Sequence, residues 1–509
     1  MIRSHKLCAL ASGVLSVSLA LMQASCFFVA DDNDCTWYPR VSCFGAGGGT
    51  PVGCDPSKTS NAVADTCGVF VSPTGADGNT GTKAKPLKTI QAALAKGSAV
   101  YACAGAVPFT EAVTIGKPAT LFGALDCASW AYDASKKTSL TAGPETIPMR
   151  LTSLAGGSAV HDFAITAADA MLAGGSSIAV LDEGADLTLE HVDIAAGAGK
   201  AGAAGTAQTQ MKTPTTAKGV DGMDDAMCNV PLGLLGGPGG TNTCSSTKTN
   251  GGDGGKGFAD VSGAPGSDGL PMMTPGNGGA GQTTTASCKP GQPGADGMPG
   301  MPGTGGRGIG DVSASGYQAP IAALGGSGPA GQGGGGGGGA RECDMNKMFA
   351  GPSGGGGGAG GCGGVAGKAG QSGGSSFGIL ALGAKLTLVT VTLTTHDGGV
   401  GGLGGDGQHG GDGGLAGHAT GGAACDGGKG GQGGKGGPGG GGAGGHSVAI
   451  AVKGGALPVL SSTTITNGKG AAGGAGGDMD MTMQTQGDGG LRCKTLDFTN
   501  PTSPSACAM

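Results

Sequence analysis

The chain has 509 residues, of which 119 are glycine, 11 phenylalanine, 4 tyrosine and 2 tryptophan. Glycine adds no side chain to a core and loses the most backbone entropy on ordering, so an ordinary side-chain core is excluded over much of the length. The formal net charge is -6, with 3% aromatic residues and no basic block, which excludes the electrostatic and stacking footprint of a nucleic-acid-binding protein.

Residues 1–25 read as an export signal, with Arg3, His5 and Lys6 ahead of an apolar run from Leu7 to Met22 and small residues at Ala24 and Ser25. That run is short for a transmembrane helix. Cys26 follows Leu21-Met22-Gln23-Ala24-Ser25, which resembles a bacterial lipobox, although Gln23 stands where Leu is usual. The resemblance implies lipidation of Cys26 and a membrane anchor at the outer membrane or cell surface; simple secretion is the alternative. Of the 16 cysteines, setting aside Cys8 and Cys26 leaves fourteen, an even number that in an exported chain points to disulfides. None forms a CxxC pair, so zinc-knuckle spacing is absent. Across residues 26–66, Cys35, Cys43 and Cys54, with Cys67 just beyond, lie among Gly, Pro, Asp and Ser. This segment reads as a disulfide-stapled tether or as a disordered linker.

At Val69 the pattern changes. Val69-Phe70-Val71 predicts a strand, the cluster Gly75 to Thr82 a turn, and Pro86 to Leu94 a short helix with Leu87, Ile90, Ala93 and Leu94 at helical spacing and Pro86 in its first turn. Strands follow at Val100–Cys103, Ala112–Ile115 and Ala119–Gly123. The string FVSPTGADGNTGTKAKPLKTIQAAL, then VYAC, EAVTI and TLFGALDCASW, resembles the N-terminal segment of extracellular right-handed parallel β-helix proteins of the pectin-lyase-like kind, with Ala124 where a second Gly is common. The likeness covers about residues 67–200. Signal, cysteine tether, β-helix and PGRS-like glycine tracts together look like surface proteins common in myxobacteria. The resemblance implies an all-β, right-handed parallel β-helix and no particular activity.

The residues support stacked coils. Val160, Phe163 and Ile165 recur 29 positions later as Leu189, Val192 and Ile194, which predicts inward-facing ladders. Cys103 and Cys127, 24 positions apart, predict a disulfide across neighbouring coils. The stretch Ser176–Ile194 returns as Ser375–Leu393 and again from Ser447. The expected order is therefore a signal (1–25), tether (26–66), N-terminal coils (67–199), glycine-rich insertion (200–374), coil (375–397), second insertion (398–445), coil (446–467) and tail (468–509).

Within the insertions glycine recurs at every third position, as from Gly291 to Gly306 with Pro293, Pro299 and Pro302 interspersed. Three readings are open: a collagen-like helix, bundles of extended polyproline-II-like glycine strands, and flexible loops between coils. Cys228, Cys244, Cys288, Cys343, Cys362 and Cys425 would staple either of the last two. Gly401 to Asp406 matches the start of a calcium-binding nonapeptide, but Gln408 stands where that repeat needs an apolar residue. The GxGxxG strings lack the strand, helix and distant acid of a dinucleotide site. The GxSxG strings at Ser353 and Ser372 lack the strand and helix of a nucleophile elbow.

A polysaccharide lyase needs a base and a cation at the substrate, yet residues 151–199 contain no Lys or Arg. A hydrolase needs two carboxylates across a cleft; Asp162, Asp182, Glu183, Asp186, Glu190 and Asp193 are available, but at positions expected to face solvent or form turns. Asp162 and His191 are expected at equivalent places in successive coils, sharing a structural hydrogen bond. No catalytic, metal or cofactor site is predicted. The expected function is that of an exported, non-enzymatic structural or interaction protein for glycans or other surface proteins, with a carbohydrate-active β-helix enzyme as the alternative.

Overall fold

Short runs of Val, Ile and Leu alternate with polar residues, and each run is too short to bury a core alone. They do so by stacking. The computed structural model describes residues 53–508, apart from 60–61, 208, 210–211, 225–228, 260, 344–347, 461, 480–481 and 500–506. The expectations for residues 1–25, lipidated Cys26, Cys35, Cys43 and Cys228 fall outside the described residues.

The strands form three main sheets, parallel except at one end. The first contains Val69–Val71, Ala99–Ala104, Thr120–Asp126, Ser158–His161, Asp186–Glu190 and Lys385–Val389. The second contains Val113–Ile115, Met149–Leu151, Ser177–Asp182, Ser376–Leu382, Ser447–Lys453 and Arg492–Asp497, closed by the antiparallel pair with Cys507–Ala508. The third contains Phe109–Thr110, Thr138–Ala142, Phe163–Ala167, Asp193–Ala196, Val391–Thr395 and Thr463–Thr466. The chain visits second, first and third sheet in turn.

Register makes the core. Val113, Met149, Val180, Ile379 and Ile450 align across the second sheet. Val100, Leu121, Val160, Leu189 and Leu388 align across the first, and Leu140, Ile165, Ile194, Leu393 and Ile465 across the third. All but Ile465 are buried in one apolar cluster. Each such side chain stabilises by about 1.5–3 kcal/mol. The copies beginning at Ser176, Ser375 and Ser447 are therefore neighbouring strands, with Ser177 opposite Ser376 and Ser376 opposite Ser447.

The helix runs Ile90–Lys96, later than the predicted Pro86 start. The Asp77 carboxylate accepts from the amides of Lys88 and Thr89, and the Asn79 amide donates to the Pro86 carbonyl, which holds 86–89 extended. Thr89 then caps the helix through Ala92 N–H, and the Glu111 carboxylate accepts from Ile90 and Gln91. Ile90, Ala93 and Leu94 plug the end of the core.

Two sheets are covered on the outside. On the first, Phe70, Tyr101, Phe122 and His161 stack with ring centroids 5.0, 5.1 and 5.1 Å apart, within the favourable stacking range. The segment carrying the Cys54–Cys67 disulfide lies over this ladder, and Tyr101 Oη donates to the Cys54 carbonyl at 2.7 Å. Cys54, Val63 and Cys67 thus pack against the first sheet. Cys103 and Cys127 are joined beside the same cluster. On the second sheet, Ile178, Leu181, Phe377 and Leu380 are covered by Ile309, Val312 and Tyr317, around a hairpin of Asp311–Ser313 and Gly316–Gln318 that belongs to the first glycine insertion. The 468–509 segment is not simply a tail: Arg492–Asp497 extends the second sheet, and Cys493 is bonded to Cys507.

The glycine tracts are ordered strands. Along 333–339, successive amides donate to Leu270, Gly358 and Gln292, then again to Ser267, Gly355 and Lys289 of the same three neighbours. Successive carbonyls from Gly334 accept from Gly252, Gly428 and Gly279, on three further strands. A three-residue period with six neighbours is the signature of side-by-side polyproline-II-like strands. It differs from flexible loops and from a three-chain collagen helix. A Cβ at Gly336 would lie 2.0 Å from the Asp253 carbonyl oxygen, so this central strand requires glycine at every position. On an outer strand one position in three faces outward: Val400, Leu403, Asp406, His409, Asp412 and Leu415 are all exposed. Cys244–Cys362 and Cys288–Cys425 tie strands of the bundle together. At its seam with the second sheet, buried His446 accepts from Leu491 N–H through Nδ1, and its Nε2 lies 3.0 Å from the Ile309 carbonyl.

Candidate functional site

Acids are the obvious reactive groups, and five of the six candidates, all but exposed Asp186, are paired or buried. Asp162 follows the first-sheet strand Ser158–His161 at the corner leading to the third sheet. It has φ 59°, and Ala124, His191 and Thr390 share this left-handed conformation at 53–59°. Such a backbone is unusual for residues with a Cβ; at Asp162, His191 and Thr390 it turns the chain from the first sheet to the third, while Ala124 lies within Thr120–Asp126, where the register with the neighbouring strand shifts. Asp162 is only 5% exposed, a departure from the expected solvated position. Tyr132 Oη donates to its Oδ2 at 3.2 Å, while His191 Nδ1 is 3.6 Å from Oδ1, beyond a good hydrogen bond. Burial pushes the Asp162 carboxyl up, against the opposing Tyr132 bond. The Tyr132 hydroxyl is in turn pushed up to about 12 by burial and by Asp162.

Asp182 is fully buried, again against expectation. Its Oδ1 accepts from Gly184 and Ala185 amides, which shapes the turn into the first sheet, while Oδ2 has no hydrogen-bond partner among the described residues. Burial pushes this carboxyl up to about 6. Of the remaining acids, Glu183 pairs with Arg150 and Asp193 with Lys137, basic residues from outside the 151–199 segment; Glu190 lies 3.1 Å from His161 Nδ1, and Asp186 is exposed. Asp162 and Glu190 are thus neighbours at this corner, with His161 and His191 beside them, whereas Glu183 and Asp193 pair elsewhere.

The serines of the GxSxG strings are tied to backbone. Ser353 Oγ accepts from Met223 N–H, and Ser372 Oγ accepts from Ala443 N–H. Asp406 accepts from the Asp478 amide. Among the described residues no cluster of three or more His, Cys, Asp or Glu side chains is placed to hold a metal ion. A recess of about 240 Å³ lined by Ile465, Asn467, Arg492 and Lys494 contains cations but no carboxylate.

What stands out instead is the third sheet's outer face, which neither of the two covering clusters reaches. One outward row crosses all six strands: Thr110, Thr141, Thr166, Ala195, Thr394 and Thr466. Alternation puts a second row two residues back along each strand: Ser139, Ala164, Asp193, Thr392 and Thr464. All are exposed or half-buried. Thr110 and Thr141 hydroxyls stand 3.5 Å apart. β-branched side chains are stiff about χ1, so the threonines of the first row hold their methyls and hydroxyls in fixed directions. The strings Thr392-Leu393-Thr394 and Thr464-Ile465-Thr466 are visible in the sequence; their alignment with residues hundreds of positions away is not.

No family model matches the chain, and neither characterised proteins nor solved structures yield a match.

Proposed function

We propose that this chain is an exported surface protein that acts by binding rather than by catalysis. Its parallel sheets are read as a right-handed β-helix of the pectin-lyase-like kind, consistent with the FVSP to TLFGALDCASW resemblance. The lipobox-like sequence ending in Cys26 assigns it a lipid anchor in the outer membrane or at the cell surface, where glycans or other surface proteins are its partners. The observation that supports the binding reading is the contrast on the surface: five of the six candidate carboxylates are paired or buried, while one sheet presents an exposed row dominated by threonine. A carbohydrate-active enzyme is the rival.

The test is to incubate the purified mature protein with a panel of plant and bacterial polysaccharides and to follow new reducing ends and unsaturated products. No turnover is expected. Turnover abolished by Asp162→Asn or Asp193→Asn would replace the binding reading with an enzymatic one. Mass determination of the mature N-terminus tests the anchor: a diacylated Cys26 is expected, and an unmodified N-terminus elsewhere would make the protein simply secreted.

A further inference from the structure

The ligand of the threonine face can be narrowed from its geometry, and this step rests on the binding reading above. Neighbouring strands stand about 4.8 Å apart, and residues two apart along a strand about 6.6 Å. The backbone positions of the two outward rows therefore form a nearly rectangular grid, on which the Thr110 and Thr141 hydroxyls lean together to 3.5 Å. Water hydrogen-bonded at about 2.75 Å in tetrahedral geometry places second-neighbour oxygens about 4.5 Å apart, and repeats at about 7.3 Å in the perpendicular direction of a prism face. The two grids agree to within about a tenth in each direction.

The chemistry of the row matches as well as its spacing. Five of its six positions are threonine and the sixth is Ala195, so the row carries no charge. A threonine offers a hydroxyl that joins a water network and a methyl that water must cage rather than hydrate. The face is also held still: every strand of the third sheet is hydrogen-bonded into a continuous ladder, and its inward residues Leu140, Phe163, Ile165, Ile194 and Leu393 are locked in the core. A glycan site would be expected to present aromatic platforms or charged hydrogen-bond partners; in the second row Asp193 is engaged by Lys137, and the first row has neither.

We propose that the outer face of the third sheet binds crystalline water, with the row Thr110, Thr141, Thr166, Thr394 and Thr466 as its contact line and Ala195 as a gap in it. The test uses the purified mature protein, fluorescently labelled, in two assays: incorporation into a slowly growing ice crystal, and inhibition of ice recrystallisation. The expected result is incorporation and inhibition by the native protein. Thr141→Tyr and Thr394→Tyr, each checked for an unchanged melting transition, should be rejected from ice and lose inhibition at concentrations where the native protein acts. Ala195→Thr should inhibit at a lower concentration than the native protein. Rejection of the native protein from ice overturns the proposal, and so does incorporation undiminished by both tyrosine variants. If the native protein is rejected from ice yet still adheres to cell-surface fractions in a way the tyrosine variants do not, this inference falls while the binding reading stands; polysaccharide turnover would instead remove the binding reading.

Discussion

The strand 333–339 and the strand Ser177–Asp182 are both buried along their whole length, and they are buried by opposite means. Ser177–Asp182 is covered because its side chains fill space between sheets. The glycine strand is covered because it has no side chains, so six backbones close on it at hydrogen-bonding distance. In the first region stability comes from apolar area; in the second it comes from satisfied amides and carbonyls at high density, stapled by disulfides. The difference predicts opposite tolerance. The apolar core tolerates a smaller side chain at a cost, whereas the glycine bundle tolerates no larger one.

The largest expected effect is therefore at Gly336. Gly336→Val places a side chain where a neighbour's carbonyl already lies 2.0 Å from the Cβ position. The cost should exceed the ~5 kcal/mol that marks the extreme of single substitutions; secreted yield and the cooperative urea transition should both collapse. A normal transition would show the bundle to be looser than its hydrogen bonds imply. Ile194→Ala, in the apolar core, should cost about 2–5 kcal/mol, measured as a lower urea midpoint with the fold retained.

The seam between the two regions is pH-sensitive. Burial pushes His446 down to about 4 from its ordinary 6.5, and accepting from Leu491 N–H uses the lone pair a proton would need. The unfolded chain takes up this proton at higher pH than the folded one. Stability from this group is complete above pH 6.5 and declines as pH falls towards 4, by about 3 kcal/mol in total. A His446→Gln variant should lose that part of the slope in thermal unfolding measured across this window.

Asp182 has the opposite sign. Its carboxyl is raised to about 6 from 3.8, so the folded state is favoured by protonation below 3.8, and that advantage is lost as pH rises through 6. Asp182→Asn should stabilise by about 1–3 kcal/mol at pH 7, with the gain vanishing below about pH 4. An unchanged or lower midpoint at pH 7 would show that the ionised form has a compensating contact. The smallest effect is expected on the bundle's outer strand, where Leu403 is exposed. Leu403→Ala should move the urea midpoint by less than about 0.5 kcal/mol. The contrast between residues 336 and 403, both inside glycine-rich sequence, isolates position in the bundle from composition.

Much of the β architecture was legible because its signal is local and repeated. The 29-residue recurrence of Val160, Phe163 and Ile165 as Leu189, Val192 and Ile194 reappears as strand register, with Val160 opposite Leu189 and Ile165 opposite Ile194. The helix start was misplaced because side chains from Asp77 and Glu111 set the backbone there, and propensity does not report them. Asp162 and Asp182 were expected in water because alternation was extrapolated through corners where the chain turns between sheets. The glycine tracts were ambiguous because period-three glycine is equally compatible with disorder; six-fold neighbour contact, unlike composition, distinguishes them.

Residue identity and short-range period are enough to tell which residues could form a core, where glycine leaves no side chain to pack, and that the three Ser-initiated copies are equivalent. Folding set which copy lies against which, that seven consecutive glycines from 333 to 339 need to be glycine, and that threonines from five separate segments stand in one row. The reason is physical: register and lateral contact join residues as far apart as Thr110 and Thr466, and no local propensity encodes the distance between strands that meet only after the chain has folded.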